Sequence, residues 1–310
     1  MTSTLIDEIR SGARGAVRLA LNQSESQSPG QRETLAEMVD ILAAEARPQT
    51  HVVGLTGPPG VGKSTLASAL VAAWRAQGHR VGVLAVDPSS RLSGGALLGD
   101  RVRIIRGADE GIFMRSLAAR DHLGGLSDGI FEAMIILRAG WDRVLIESVG
   151  VGQSETEIAD MVDTTVVMVQ PAAGDGLQFM KSGLMEIPDI FVVNKSDLGT
   201  VAEDTATHLH TALKGMQRSH MDVHLISAAS NQGVPALTET LSRHFDALIP
   251  QLHTRRQEQR RSYTLQRFQA LHGPQAVSTR GGRRALLKHL GTLPEEYTLS
   301  QRFDALYRMP

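Results

Sequence analysis

The chain has 310 residues, 42% hydrophobic and 21% charged, a balance ordinary for a globular protein with one large domain and helical additions. A formal net charge of −1 excludes any global electrostatic pull toward nucleic acid or a membrane surface, and the absence of Cys excludes disulfides and thiolate metal sites. There is no N-terminal signal pattern and no apolar run near the roughly 18 residues of a membrane span, so the expected compartment is the cytoplasm, with neither membrane nor nucleic acid as partner.

Residues 4–46 carry helical apolar spacing, interrupted by the polar stretch SESQSPG, and predict a helical extension over 1–48. Six short β-rich runs follow: HVVGL, VGVLAV, RVLIE, TTVVMV, IFVVN and VHLIS. Helical stretches separate most of them, and the runs are apolar on both faces. That pattern predicts an α/β fold over 49–250, a mostly parallel P-loop NTPase sheet covered by helices on both faces, with its ligand at the carboxyl ends of the strands. From about residue 234 the pattern is helical without strands, and 251–310 reads as a C-terminal helical arm. Between 251 and 291 nine Lys or Arg stand against a single acid, Glu258. Such a run reads first as a solvated helix face, with a subunit-contact arm or a surface for an acidic partner as alternatives. The stretch GPQAVSTRGGRR, 273–284, reads as a mobile hinge.

The chemistry starts at GLTGPPGVGKST, residues 54–65, which fits G-x-x-x-x-G-K-[ST] between a strand and a helix. In such a loop Gly57, Pro58, Pro59, Gly60, Val61 and Gly62 wrap a β-phosphate, and the backbone N–H groups of all but the two prolines form a nest for it. The positive end of the following helix adds to it. Lys63 should reach the β- and γ-phosphates and Ser64 should place its hydroxyl on Mg²⁺, with Thr65 beside it among the expected nucleotide-binding residues.

The base is read elsewhere. Asn194-Lys195-Ser196-Asp197 ends the run IFVV as an N-K-x-D element. A carboxylate at Asp197 can accept from both N1–H and the 2-amino group of guanine, a donor pair that adenine lacks. Asn194 would brace the loops, and the stem of Lys195 would cover a base face. After VHLI come Ser227, Ala228 and Ala229, whose amides could meet the guanine O6. Alone, Asp197 could equally be a helix cap; the order of motifs favours GTP.

Three acids are placed to serve a cation: Asp87 after VGVLAV, Glu147 after RVLI, and Asp100 in GGALLGD. A carboxylate directly after a buried strand is costly unless it serves a cation or accepts hydrogen bonds. Gly150, three residues past Glu147, suits a switch whose amide approaches a γ-phosphate. Gln153 is a candidate to orient the attacking water.

The stretches GPPGVGKST, GHRVGVLAVDPSS, SGGALLGDR, LGGL, ESVGVGQSETEIADMVD, PAAGDGLQFMKSG and NKSDLG resemble the MeaB/ArgK-type P-loop GTPases, SIMIBI-class proteins that chaperone adenosylcobalamin-dependent methylmalonyl-CoA mutase. The resemblance runs from about residue 4 to about 270. It implies slow GTP hydrolysis stimulated by the partner mutase, a homodimer formed through the C-terminal arm, and metal-linked acids at Asp87, Asp100 and Glu147. It also implies a further nucleotide-responsive loop from Pro171 to Gly183. The nucleotide state would gate delivery of intact cofactor or removal of damaged cofactor. The sequence departs from the family after Met114, where RSLAARDHLGG lacks the usual prolines; at Gly176, where an acid is usual; and in the last forty residues. Two other functions bear comparison: an ATPase or kinase attached to amino-acid transport, and a nickel-type metallochaperone GTPase. The guanine motif counts against the first; the absence of Cys and the scattered His count against the second.

Overall fold

Seven strands lie side by side: β1 His51–Thr56, β2 Val81–Asp87, β3 Ile112–Ala118, β4 Arg143–Glu147, β5 Thr164–Val169, β6 Ile190–Val193 and β7 Asp222–Leu225. The computed structural model describes residues 2–24, 29–44, 49–87, 109–118, 129–148, 150, 154–171, 185 and 187–309. The strand order is β3-β2-β4-β1-β5-β6-β7 and every neighbouring pair is parallel. The chain leaves central β1 for β2, fills β4 in between, and crosses to β5 on the far side. The loop after β1 therefore stands where the winding reverses, the place such sheets reserve for ligands.

Alternation along the strands shows why helices cover both faces. Val166 and Met168 pack with Leu66, Leu70 and Trp74 of helix Lys63–Ala76 and with Leu237 and Leu241 of helix Val234–Leu248. Their neighbours Val167 and Val169 point the other way, toward Leu209 and Leu213 of helix Thr200–Gly215. Each such buried side chain contributes roughly 1.5–3 kcal/mol. β3 was not among the six runs expected. It is an edge strand carrying Arg115 and Ser116 between apolar Phe113 and Leu117, so its sequence lacks the continuous apolar character of the inner strands.

Contacts divide the described residues into two units. One is the sheet unit, within Gln49–Ile130 and Trp141–Ile249; the other gathers helices from Met1–Pro48, Phe131–Gly140 and Pro250–Pro310. The two ends of the chain thus share one unit, joined by a helix from the middle. Its core includes Leu265, Phe268, Val277, Leu286, Leu290 and Leu306.

Two expectations about this unit are corrected. The 273–284 stretch, read as a hinge, is helical except at Gly273 (φ 80°, ψ 166°) and in the turn at Arg280 and Gly281; Pro274 opens the helical run between them, where a missing N–H costs nothing. Likewise the basic run is a solvated face only at its far end, where Arg283, Arg284 and Lys288 are exposed. Arg256 is buried, Arg260 pairs with Asp40 at 3.2 Å, and Arg267 reaches Glu132 at 3.0 Å. Asp40 also accepts from the Leu299 backbone at 2.8 Å, so one carboxylate ties an N-terminal helix to two C-terminal ones. Further on, Arg302 is 1% exposed and donates to the carbonyls of Leu290, Pro294, Glu295 and Tyr297. Asp40 and Glu132 lie 220 and 135 residues from Arg260 and Arg267, which is why charge counting placed these arginines in solvent.

Candidate nucleotide site

The loop 57–62 leaves β1 at Thr56 and enters the helix that starts at Lys63. Gly62 caps that helix with left-handed backbone (φ 99°), and a Cβ there would run into the Asn194 side-chain amide. Pro59 and Gly60 form an exposed tip, whereas Val61 is buried beneath it. Lys63 is 8% exposed, and its Nζ donates to Gly57 O at 2.8 Å and Pro58 O at 3.1 Å, which holds the ammonium over the loop. Ser64 Oγ donates to Glu147 Oε1 at 2.6 Å, bringing the end of β4 to the first turn of the helix. Thr65 in the same turn is exposed.

The N-K-x-D element sits directly after β6 and is fastened to this loop. Asn194 Nδ2 donates to Val61 O at 2.8 Å while its Oδ1 accepts from Ala228 N at 3.0 Å, so one amide clamps two loops. Lys195 adopts left-handed backbone (φ 61°) and its Nζ reaches Gly60 O at 2.9 Å. Ser227 Oγ donates to Asp197 Oδ1 at 2.8 Å. The segment is closed by reciprocal backbone bonds between Ser227 and Gln232. With the Ala228 amide engaged by Asn194, Ala229 stands exposed in the same loop.

Gly150 lies buried against the loop: its φ is +81°, and a Cβ would meet Gly57 O and Lys63 Nζ. Asp87 ends β2, two residues beyond Ala85, which pairs with Glu147, so its backbone stands at the same end of the sheet. The Asp87 side chain, all of Asp100 and Gln153, and 172–183 of the expected further loop lie outside the described residues. Sequence reasoning passed over two hydroxyls: Ser148 Oγ donates to Thr56 Oγ1 at 2.7 Å, both buried beside the loop. The signal was present in the polar residues at the carboxyl ends of the two strands, Thr56 closing β1 and Ser148 following β4.

The phosphate-loop motif and the N-K-x-D element thus stand hydrogen-bonded together at the carboxyl ends of the strands. A family model described as methylmalonyl Co-A mutase-associated GTPase MeaB matches residues 17–273. A putative GTPase of Pyrococcus horikoshii is 45% identical over 195 residues, 62% of this chain and 60% of the relative. The mouse methylmalonic aciduria type A homolog, mitochondrial, is 38% identical over 247 residues, 74% of this chain and 60% of the relative. The match thus spans 60% of the length of each of these two curated relatives. A crystal structure of a LAO/AO transport system kinase superposes with a TM-score of 0.69 at 27% identity, covering 99% of this chain and 97% of that one. The phosphate loop, the clamped guanine motif and the extent of the family match together place this chain in the family of MeaB-type, methylmalonyl-CoA mutase-associated GTPases.

Proposed function

We propose that this chain hydrolyses GTP to GDP and phosphate at the loop 57–65, and that the nucleotide state gates cofactor loading or protection of an adenosylcobalamin-dependent acyl-CoA mutase. The observation that carries the nucleotide part is the Asn194 clamp. It ties the phosphate loop to the loop 227–232, and Ser227 of that loop donates to Asp197, the residue proposed to read the base. A carboxylate so placed accepts from guanine and finds no donor pair on adenine, which argues against an ATP-dependent kinase.

The oxygen donors beside the loop fit Mg²⁺. Ser64 Oγ and Glu147 Oε1 lie 2.6 Å apart, all-oxygen and hard, as this cation requires. Ser64, Glu147, Asp87 and Asp100 would hold it, and it would neutralise charge on the phosphates. Lys63 adds a second positive charge there, the loop amides orient the phosphate chain, and Gly150 leaves the backbone room to approach it.

The client reading is supported by the family description and by the name of the mouse relative. The segment 251–310 is the proposed contact of a homodimer. The experiment is direct: the purified chain should hydrolyse GTP with Mg²⁺ and spare ATP, and Lys63→Ala should abolish both tight triphosphate binding and turnover. Retained affinity with normal turnover in that variant overturns the assignment of the loop. A mutase that co-purifies differently in the GTP-analogue and GDP states supports gating. Equal capture in both states, with no stimulation of hydrolysis by the mutase, refutes it.

A further inference from the structure

The register of the sheet puts a second, unassigned pair of residues at the fork where the site opens. β1 and β4 pair in parallel as far as Leu55 opposite Glu147. One residue later the strands still hold together: Ser148 N donates to Leu55 O at 3.0 Å and Ser148 Oγ donates to Thr56 Oγ1 at 2.7 Å. Beyond that tie the chains part, one into the phosphate loop and the other toward Gly150. Ser148 is 2% exposed and Thr56 0%, so neither hydroxyl is bound by bulk water.

Successive side chains of a strand point to opposite faces. Leu55 and Leu145 pack with Leu66 of the helix that carries Ser64, and Glu147 shares their face to reach Ser64. Thr56 and Ser148 occupy the other face. The hydroxyl tie therefore grips the end of β4 from one side of the sheet while the Glu147 carboxylate acts on the other. Two residues further on, Gly150 returns to the Gly57 carbonyl. From 147 to 150 the chain thus touches the β1–helix turn at three successive points, and the middle one is the hydroxyl pair.

We propose that Ser148 and Thr56 are positioning residues for the nucleotide reaction: their buried hydrogen bond fixes the rotation of the β4 end so that the Glu147 carboxylate stays against Ser64, where the cation binds. This inference rests on the GTPase reading above. Without the tie, the strand end can twist, and the carboxylate leaves the Ser64 hydroxyl without any loss of charge or of phosphate-loop sequence.

The test is a double-mutant cycle with Ser148→Ala and Thr56→Val, the latter matching threonine in shape, read as the Mg²⁺ concentration that half-saturates GTP hydrolysis. Each single variant is expected to raise that concentration by about threefold to tenfold, the span of one hydrogen bond, and the double variant should add nothing further. GDP affinity should stay within error, the thermal unfolding midpoint should fall by no more than the loss of one buried hydrogen bond implies, and Ser148→Thr should keep the Mg²⁺ response of the unaltered chain. Additive effects, or a Mg²⁺ response identical to that of the unaltered chain, overturn the proposal. If Ser148→Ala fails to fold, Thr56→Val alone decides by the same two readouts. An unaltered chain without Mg²⁺-dependent GTP hydrolysis would instead refute the GTPase reading, so the two failures are distinguishable.

Discussion

Ser227 Oγ donates to Asp197 Oδ1 at 2.8 Å, so the carboxylate predicted to read the base is held by the loop that follows the next strand. Asp197→Asn is expected to replace one acceptor oxygen by a donor and to weaken GTP binding by at least about tenfold, the cost of losing one charge-assisted bond. Xanthosine nucleotides should regain much of that loss. Competition binding of GTP, XTP and ATP measures it, and an unchanged preference for guanine would remove Asp197 from the base pocket.

Gly150 is a steric rather than a chemical constraint. Its left-handed backbone and its contact with Gly57 O and Lys63 Nζ leave no room for a methyl group. Gly150→Ala is expected to push the strand exit away from the loop and cut GTP turnover at least about tenfold, with little change in far-ultraviolet circular dichroism. Turnover equal to that of the unaltered chain would show that this approach is not needed for hydrolysis.

The helical unit offers a test of its own. Asp40 and Arg260 form a buried pair, and burial raises the Asp40 pKa while Arg260 and the Leu299 N–H oppose the rise. Removing one partner of a buried pair leaves the other charge uncompensated, so Asp40→Ala is expected to cost about 3 kcal/mol in urea unfolding. Asp40→Asn keeps an acceptor for the Leu299 N–H and should cost less.

Acid should destabilise the sheet unit through two histidines. Burial lowers the pKa of His224 and of His79, with Arg243 and Arg143 acting in the same direction. Both therefore bind fewer protons folded than unfolded, and stability rises with pH where the unfolded chain still takes them up. Their contribution is present above about pH 6.5 and is lost as pH falls through the lowered folded values. Unfolding midpoints measured from pH 7.5 to 5.5 should fall, and His224→Gln should flatten part of that slope.

How much of this was legible in sequence follows from the range of the interactions involved. The phosphate loop and six of the strands are local patterns, in which periodicity and glycine spacing carry the information. So is the N-K-x-D element, because its residues act from one turn. The clamp of Asn194 between Val61 and Ala228 is not local: it spans more than a hundred residues, and only the order of the motifs hinted at it. β3 escaped because an edge strand with Arg115 and Ser116 resembles a loop. Arg260 and Arg267 escaped because their partners, Asp40 and Glu132, are brought to them by the fold. Ser148 was visible beside Glu147, but its partner across the sheet was not.

The break at Gly273 coincides with the last residue of the family match, and an engineer would be tempted to cut there. Leu265 and Phe268 lie before that point, whereas Val277, Leu286, Leu290 and Leu306, which enclose them, lie after it. Truncation at 273 would strip the long helix of its cover and leave two large apolar side chains facing water. A chain cut at the end of the family match is therefore expected to unfold at a lower urea concentration than the full chain, for lack of Val277, Leu286, Leu290 and Leu306.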